Sequence, residues 1–455
     1  MSNSPDLLAP SPTVNFADVA HQTLIFNSND PAARLVLDLI DTPWVQRLRR
    51  VRQTGNTHLV YMFAEHSRFG HSLGVAYLAL QLMDRLERFS AEAVRPYRSA
   101  VAAAALLHDI GHVAPGSHLA TRIWSPNGGD HHEDISARIV REDPTIATIL
   151  QNVSPQLAGD VTSILTESGN LPAWTYAVIS GGGWNADRGN WTIVDSAMCS
   201  VNYGRYNVAA LVDAFRLSSD GRLILQESRV DALTHFFVAR DSMYRQVYQH
   251  RVLQAADSLT ERLLLRIRDI LNGAGCGGHD TRSWLAQHRV FADETLLRVL
   301  SSGAYGVDLA IDDLFRMTED WWAYLVSQWC DSADPVLSDL AQRLRDRRLF
   351  KTIRLIEDSE RSAEFSADNA KLVAAAEAEA RELGFDPRYY VILIDNRDQH
   401  RDRREAAPAV LRDDGSLVDV RSVEPIIDSL SSRAQQSRIW LAVPKEVKAR
   451  LGRSR

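Results

Sequence analysis

Lysine is almost missing from this 455-residue chain. Only Lys351, Lys371, Lys445 and Lys448 stand among its 51 basic residues, and the other 47 are arginine. With 58 acidic residues the formal charge is −7. That balance excludes a broad polyanion-binding surface, because nonspecific nucleic-acid binding rests on a dense positive footprint. A local basic pocket stays open, and the planar guanidinium fork suits phosphate oxygens. Cysteine is as scarce. Cys199, Cys276 and Cys330 are odd in number and far apart, which speaks against a disulfide framework and a thiolate zinc site. Long apolar runs are lacking too. The longest, Ala100 to Leu107, falls far short of the roughly 20 residues that span a bilayer. Met1 to Val14 has no basic stretch followed by an apolar core. The expectation is a cytoplasmic protein in a reducing compartment, with no membrane partner.

What is present is the composition of a globular chain, 45% hydrophobic and 24% charged. The periodicity is mainly helical. Ala32 to Arg52 reads as two helices divided at Asp41-Thr42-Pro43, Arg68 to Phe89 as an amphipathic helix, and Tyr97 to His108 as a buried alanine-rich one. Ile110 to Asp134, rich in glycine and proline, is expected to be an irregular loop carrying histidines. Asp187 to Val201 is helical again, and Phe215 to Gln226 reads as a hairpin turning at Asp220-Gly221. Helical patterns continue to Arg347, after which strands at Tyr389 to Ile394 and Arg438 to Val443 flank a turn at Asp413-Asp414-Gly415. The expected organisation is a flexible tail over 1–15, a helical body over 16–348 and a small α+β unit over 349–455.

Chemistry concentrates between residues 66 and 134, which hold seven of the 14 histidines, among them His66, His71, His108, His112, His118, His131 and His132. Imidazoles mixed with carboxylates suit a divalent ion such as manganese, iron, nickel, zinc or magnesium. Taken singly, a histidine on an apolar helix reads as a hydrogen-bonded core residue. Asp109 is harder to dismiss. It follows the apolar stretch Ala102 to Leu107, and a carboxylate buried there needs a partner or a metal.

Several motifs now line up: Thr42-Pro43-Trp44-Val45-Gln46-Arg47-Leu48-Arg49, then Gln53, then Ser67-Arg68-Phe69-Gly70-His71-Ser72-Leu73-Gly74-Val75. Leu107-His108-Asp109-Ile110-Gly111-His112, His132-Glu133, Asp187-Arg188, Tyr203-Gly204-Arg205-Tyr206, Arg240-Asp241-Ser242-Met243-Tyr244 and Tyr248-Gln249-His250 follow in order. This ordered set closely resembles the HD-domain phosphohydrolases, in the branch of deoxynucleoside triphosphate triphosphohydrolases. The resemblance implies a mainly α HD-domain fold whose motif core spans about 66–200. It implies one divalent metal ion per subunit, held by His71, His108, Asp109 and Asp187, and a catalytic group of His112, His118 and His132 around the α-phosphate. It further implies substrate contacts from Arg68, Arg188 and Arg240 to the polyphosphate and from Gln53, Trp191 and Tyr248 on the sugar side, and assembly as a homo-oligomer.

The sequence also departs from the family pattern. The interval from His112 to His118 is one residue longer than usual, and Thr121 stands where a carboxylate is typical. Asn190-Trp191 replaces an Asp-Tyr pair, Val194-Asp195 replaces Arg-Asp, and Thr54 replaces an apolar residue. The expected function is metal-dependent hydrolysis of deoxynucleoside triphosphates to deoxynucleoside and inorganic triphosphate. Two alternatives stay open: an HD phosphohydrolase for another nucleotide, whether a monophosphate, a modified or a signalling one, and a catalytically idle nucleotide-sensing scaffold.

Overall fold

In the computed structural model the described residues are 12–116, 118–124, 132–181, 183–272, 281–302, 309–355, 367–395, 408–433 and 439–452. Residues 1–11, Cys276 and His131 lie outside them.

The chain enters through an antiparallel hairpin, β1 (Thr13–Asp18) and β2 (Gln22–Asn27), so residues 13–15 of the expected tail are strand. Alternation explains it, since Leu24 and Phe26 on β2 are buried while Thr23 and Ile25 face outward. The Asp18 carboxylate accepts the Ala20 and His21 amides and shapes the turn.

Helix α1 (Pro31–Ile40) starts at an Asp30 cap with proline in its first turn, and α2 (Pro43–Arg47) follows. The two central helices are α3 (Arg68–Val94) and α4 (Arg98–Leu107). Every side chain from Ala100 to Leu107 is buried, and the alanines let α1, α3 and α8 approach α4 closely. Around them stand α5 (His118–Trp124), α6 (His132–Glu142), α7 (Pro144–Val153), α8 (Leu157–Leu165), α9 (Ala173–Ala177) and α10 (Ala186–Met198). Helix α5 corrects the expectation of an unbroken loop over Ile110 to Asp134. Its residues Leu119, Ala120, Ile123 and Trp124 are buried, so tertiary packing holds a helix between the glycines.

Helix α11 (Val208–Ala214) leads into the hairpin β3 (Phe215–Leu217) and β4 (Leu223–Gln226), with Gly221 at φ 75 in the turn. Helices α12 (Val230–Met243) and α13 (Arg251–Leu271) are joined by a π-helical turn at Tyr244–Tyr248.

The C-terminal strands are β5 (Lys351–Arg354), β6 (Ile392–Ile394), β7 (Ala409–Leu411), β8 (Leu417–Asp419) and β9 (Trp440–Val443). The expected strand from Tyr389 begins three residues late, because Asp386 caps a helical turn over Pro387–Tyr390. One sheet runs β5-β9-β6; the other, β3-β4-β7-β8, pairs β4 in parallel with β7. The α+β segment is therefore stitched by backbone hydrogen bonds into a hairpin of the helical body. Among the described residues no helix is long and apolar enough to cross a membrane.

Candidate metal and phosphate site

Four donors converge from three helical ends. His71 lies one turn into α3, His108 and Asp109 follow the last residue of α4, and Asp187 sits in the first turn of α10. Its neighbour Asn185 caps that helix by accepting the Arg188 amide. His71 Nε2 stands 3.0 Å from Asp187 Oδ1 and 3.6 Å from Asp109 Oδ2. His108 Nε2 stands 3.4 Å from Asp109 Oδ1 and 3.6 Å from Asp187 Oδ1. Donors sharing one cation at bond lengths near 2.0–2.2 Å sit about 2.8–3.6 Å apart, so these separations fit a divalent ion.

The tautomers fit as well. His108 Nδ1 lies 2.9 Å from the Ala105 carbonyl, to which it donates, so the neutral imidazole presents its Nε2 lone pair to the carboxylates. That Nε2 is buried and makes no hydrogen bond among the described residues, which fits a metal-ligand atom. His71 Nδ1 stands 3.0 Å from Asn190 Oδ1 and donates to it, so its Nε2 too is free to ligate. Burial opposes ionisation of Asp109, but Arg68 and then His108 outweigh it and hold the carboxyl well below its usual range. Burial likewise opposes Asp187, and His108 and His71 hold it far below that range.

A second group adjoins the first. His112 Nε2 lies 3.3 Å from Asp109 Oδ1, and its ring stacks on His132 with centroids 4.0 Å apart. Burial, reinforced by Arg68, pulls the His112 pKa down to about 3, so its imidazole is neutral near pH 7. A close approach makes this possible: a Cβ on Gly111 would lie 2.3 Å from the His132 carbonyl oxygen.

The other expected residues divide. Arg68 is buried and forms an ion pair with Asp109 through Nη1. Arg188 Nη1 donates to the Gly183 carbonyl at 3.4 Å, and Arg240 lies over the Tyr244 ring. His118 opens α5, where only its backbone position and that of Thr121 are described. On the expected sugar side, Gln53 is tied to His66 by a backbone hydrogen bond, while its buried Oε1 and Thr54 Oγ1 have no hydrogen-bond partner among the described residues. The Tyr248 hydroxyl donates to Asp195 Oδ2 at 2.5 Å, and Asp195 Oδ1 lies 2.8 Å from His66 Nε2. Trp191 packs edge-on against Tyr244 and Tyr248.

Sequence reasoning left several positioning residues unassigned. Arg47 is buried and donates to the carbonyls of Phe315, His112, Leu314 and Met317, which pins the histidine loop to a distant segment. Glu319 accepts the Gly116 amide at 2.8 Å and the Arg52 amide at 3.3 Å, joining the loop before His118 to the segment before Gln53. His66 and Asp195 are paired across 129 positions. Nothing local marks such partners, since each is defined by a group far away in sequence.

The chain carries an HD domain, matched by residues 68–154, and an HD associated region, matched by residues 302–455. It is 28% identical to the uncharacterized Bacillus subtilis protein YwfO, over 88% of this chain and 86% of that protein. The human deoxynucleoside triphosphate triphosphohydrolase SAMHD1 is 24% identical over 70% of this chain, and the Dictyostelium discoideum SAMHD1 homolog 29% over 52%. The matches span about half the length of those two proteins, 52% and 48%. Among solved structures, a phosphohydrolase from Bacteroides thetaiotaomicron superposes with TM-score 0.75 at 21% identity, over 95% of this chain and all of that one. A hypothetical protein from Aquifex aeolicus gives 0.66 at 22%, over 96% and 97%. These two likenesses are of fold.

Proposed function

We propose that the protein hydrolyses deoxynucleoside triphosphates in a divalent-metal-dependent reaction that yields deoxynucleoside and inorganic triphosphate. The carrying observation is a pair of adjoining groups, His71 with His108 and Asp187, and Asp109 with the neutral His112 and its stacked partner His132, beside Arg68. The likeness to proteins named deoxynucleoside triphosphate triphosphohydrolases supports the choice of substrate.

His71, His108, Asp109 and Asp187 would hold a divalent ion, which when bound would supply positive charge to a phosphate oxygen. The chain's own groups do the rest. Arg68, Arg188 and Arg240 offset the polyphosphate charge with charge-assisted hydrogen bonds. His112, neutral near pH 7, accepts a hydrogen bond from the attacking water, and His132 braces its ring. Water adds to the α-phosphorus, the bond from phosphorus to the 5′ oxygen breaks, and His118 delivers the proton that oxygen needs. Gln53, Tyr248 and Trp191 hold the sugar. Homo-oligomeric assembly in the cytoplasm belongs to the same reading, and light scattering tests the assembly.

Incubation with each deoxynucleoside and ribonucleoside triphosphate plus Mn²⁺, with products resolved, tests the reaction. Triphosphate release from deoxynucleotides is expected; monophosphate plus pyrophosphate, or no turnover, would overturn it. A second reading, hydrolysis of a different nucleotide, draws on the unpartnered Thr54 Oγ1 and on Trp191 at the sugar side. Preference for such a nucleotide over every deoxynucleotide in the same assay would select it.

A further inference from the structure

Asn190 sits three residues after Asp187 on α10, so one turn of helix presents both a metal-ligand candidate and a carboxamide. The carboxamide is fully buried. Its Oδ1 lies 3.0 Å from His71 Nδ1, and its Nδ2 lies 3.2 Å from His21 Nε2 in the turn of the N-terminal hairpin. Gly74, one turn beyond His71 on α3, makes the room: a Cβ there would stand 2.1 Å from Nδ2 and 2.8 Å from Cγ of Asn190. Any other side chain at position 74 would displace the amide.

The polarity of this row has one solution. For His71 Nε2 to offer a lone pair to a cation, Nδ1 must carry the proton and donate it. Oδ1 is the acceptor, which turns Nδ2 toward His21. An Nδ2–H needs an acceptor in turn, so His21 Nε2 must be unprotonated. Flipping the carboxamide would set N–H against N–H inside the core and leave a buried donor unsatisfied. His108 needs no such help, because its Nδ1 is fixed by a carbonyl one turn back on its own helix. His71 depends on groups from two other elements.

We propose that Asn190 and His21 are positioning residues that fix the tautomer and ring orientation of His71, making the β1–β2 hairpin part of the metal centre. The proposal rests on the metal reading of the site. Contacts within and beneath the hairpin hold His21 in place. Asp18 shapes the turn that carries it, its ring packs edge-on against Tyr77 of α3, and Tyr77 packs against Phe26 of β2.

The test is Mn²⁺ titration calorimetry of the full chain after chelation, with circular dichroism and the unfolding midpoint of the metal-free protein as folding controls. Asn190→Leu should weaken Mn²⁺ binding by about 10–100-fold, the range for loss of an outer-shell partner. His21→Phe keeps the ring but offers no acceptor, and should weaken it by on the order of 3–10-fold. His21→Gln should restore it, since its Oε1 accepts from Nδ2. Nitrogen NMR of the histidine-labelled, metal-free protein should show His71 losing its fixed Nδ1–H tautomer in Asn190→Leu. Folded Asn190→Leu and His21→Phe proteins with wild-type Mn²⁺ affinity would overturn the proposal, as would His21→Gln binding as weakly as His21→Phe. If His21→Phe does not fold, Asn190→Asp decides: it keeps an acceptor for His71, so it should bind Mn²⁺ at least several-fold more tightly than Asn190→Leu, and equality would overturn the proposal. A wild-type protein that takes up no divalent cation would overturn the metal reading together with this inference, whereas binding left unchanged in every variant would overturn this inference alone.

Discussion

The two faces of the site are built on different terms. On the metal face, each imidazole of the ligand set has its far nitrogen committed, His108 to Ala105 and His71 to Asn190, and Arg68 pairs with Asp109. On the proposed sugar face, Gln53 Oε1, Thr54 Oγ1 and His66 Nδ1 are buried with no hydrogen-bond partner among the described residues, beside the bonded run Tyr248–Asp195–His66. The four ligand candidates and Arg68 also keep the family pattern, while Thr54, Trp191 and Val194 depart from it on the other face and Asn190 departs from it behind His71. A cation of fixed geometry allows little variation in its ligands. A substrate selected by a few hydrogen bonds lets the residues that read it change, because unpaired buried atoms reward the ligand that satisfies them and penalise one that does not.

The comparison can be broken from either side. The largest effect is expected on the metal face. Asp109→Asn should abolish Mn²⁺ uptake by calorimetry and lower turnover by on the order of 10³-fold; retained uptake would show that Asp109 is no ligand. On the sugar face, Tyr248→Phe deletes the hydrogen bond to Asp195 and should cost on the order of 10-fold in kcat/KM, expressed mainly in KM. Equal losses in kcat and kcat/KM would place Tyr248 at the reacting centre instead. Glu319→Ala, between the faces, frees the Gly116 and Arg52 amides and should lower stability by about 1–3 kcal/mol in urea unfolding. Glu319→Gln, which can still accept, should lose less.

The smallest effect is the pH dependence of the metal-free protein. Burial holds His21, His58 and His112 below the ordinary value of 6.5. Below about 6.5 the unfolded chain therefore binds more protons than the folded one, and stability falls as pH drops. His108 is shifted the other way: burial opposes its charge, but Asp109 and Asp187 raise it. Its contribution is complete below 6.5 and is lost as pH rises through the folded value. Unfolding midpoints should peak near pH 6–7 and decline on both sides, by on the order of 1 kcal/mol per pH unit. Saturating Mn²⁺ should remove the alkaline decline if His108 is a ligand, because a ligating nitrogen is already deprotonated.

The helices around the site were legible because their signals are local. Arg68 to Phe89 and Tyr97 to His108 carry unbroken helical periodicity, and Asp220-Gly221 and Asp413-Asp414-Gly415 turn where hairpins turn. Helix α5 was hidden by the glycines and prolines on either side of it, and its formation rests on burying Leu119, Ile123 and Trp124. The N-terminal hairpin was hidden because a two-stranded sheet depends on the helices that cover Leu24 and Phe26. The merging of the C-terminal segment with the body through β4 and β7 was equally invisible, since strand pairing over that separation leaves no local mark.

The sequence by itself pointed to the class of chemistry: arginine far in excess of lysine, histidines gathered in one window, and an aspartate at the end of an apolar helix, in an ordered pattern that resembles the HD-domain phosphohydrolases. Tertiary structure decided which nitrogen of each histidine faces the carboxylates, which charge Arg68 meets, and that residues as distant as His21, Arg47 and Glu319 hold the site in shape. The reason is physical. Residue type sets what a group can donate or accept, but direction is set by the nearest partner in space, and here most of those partners come from other elements of the fold.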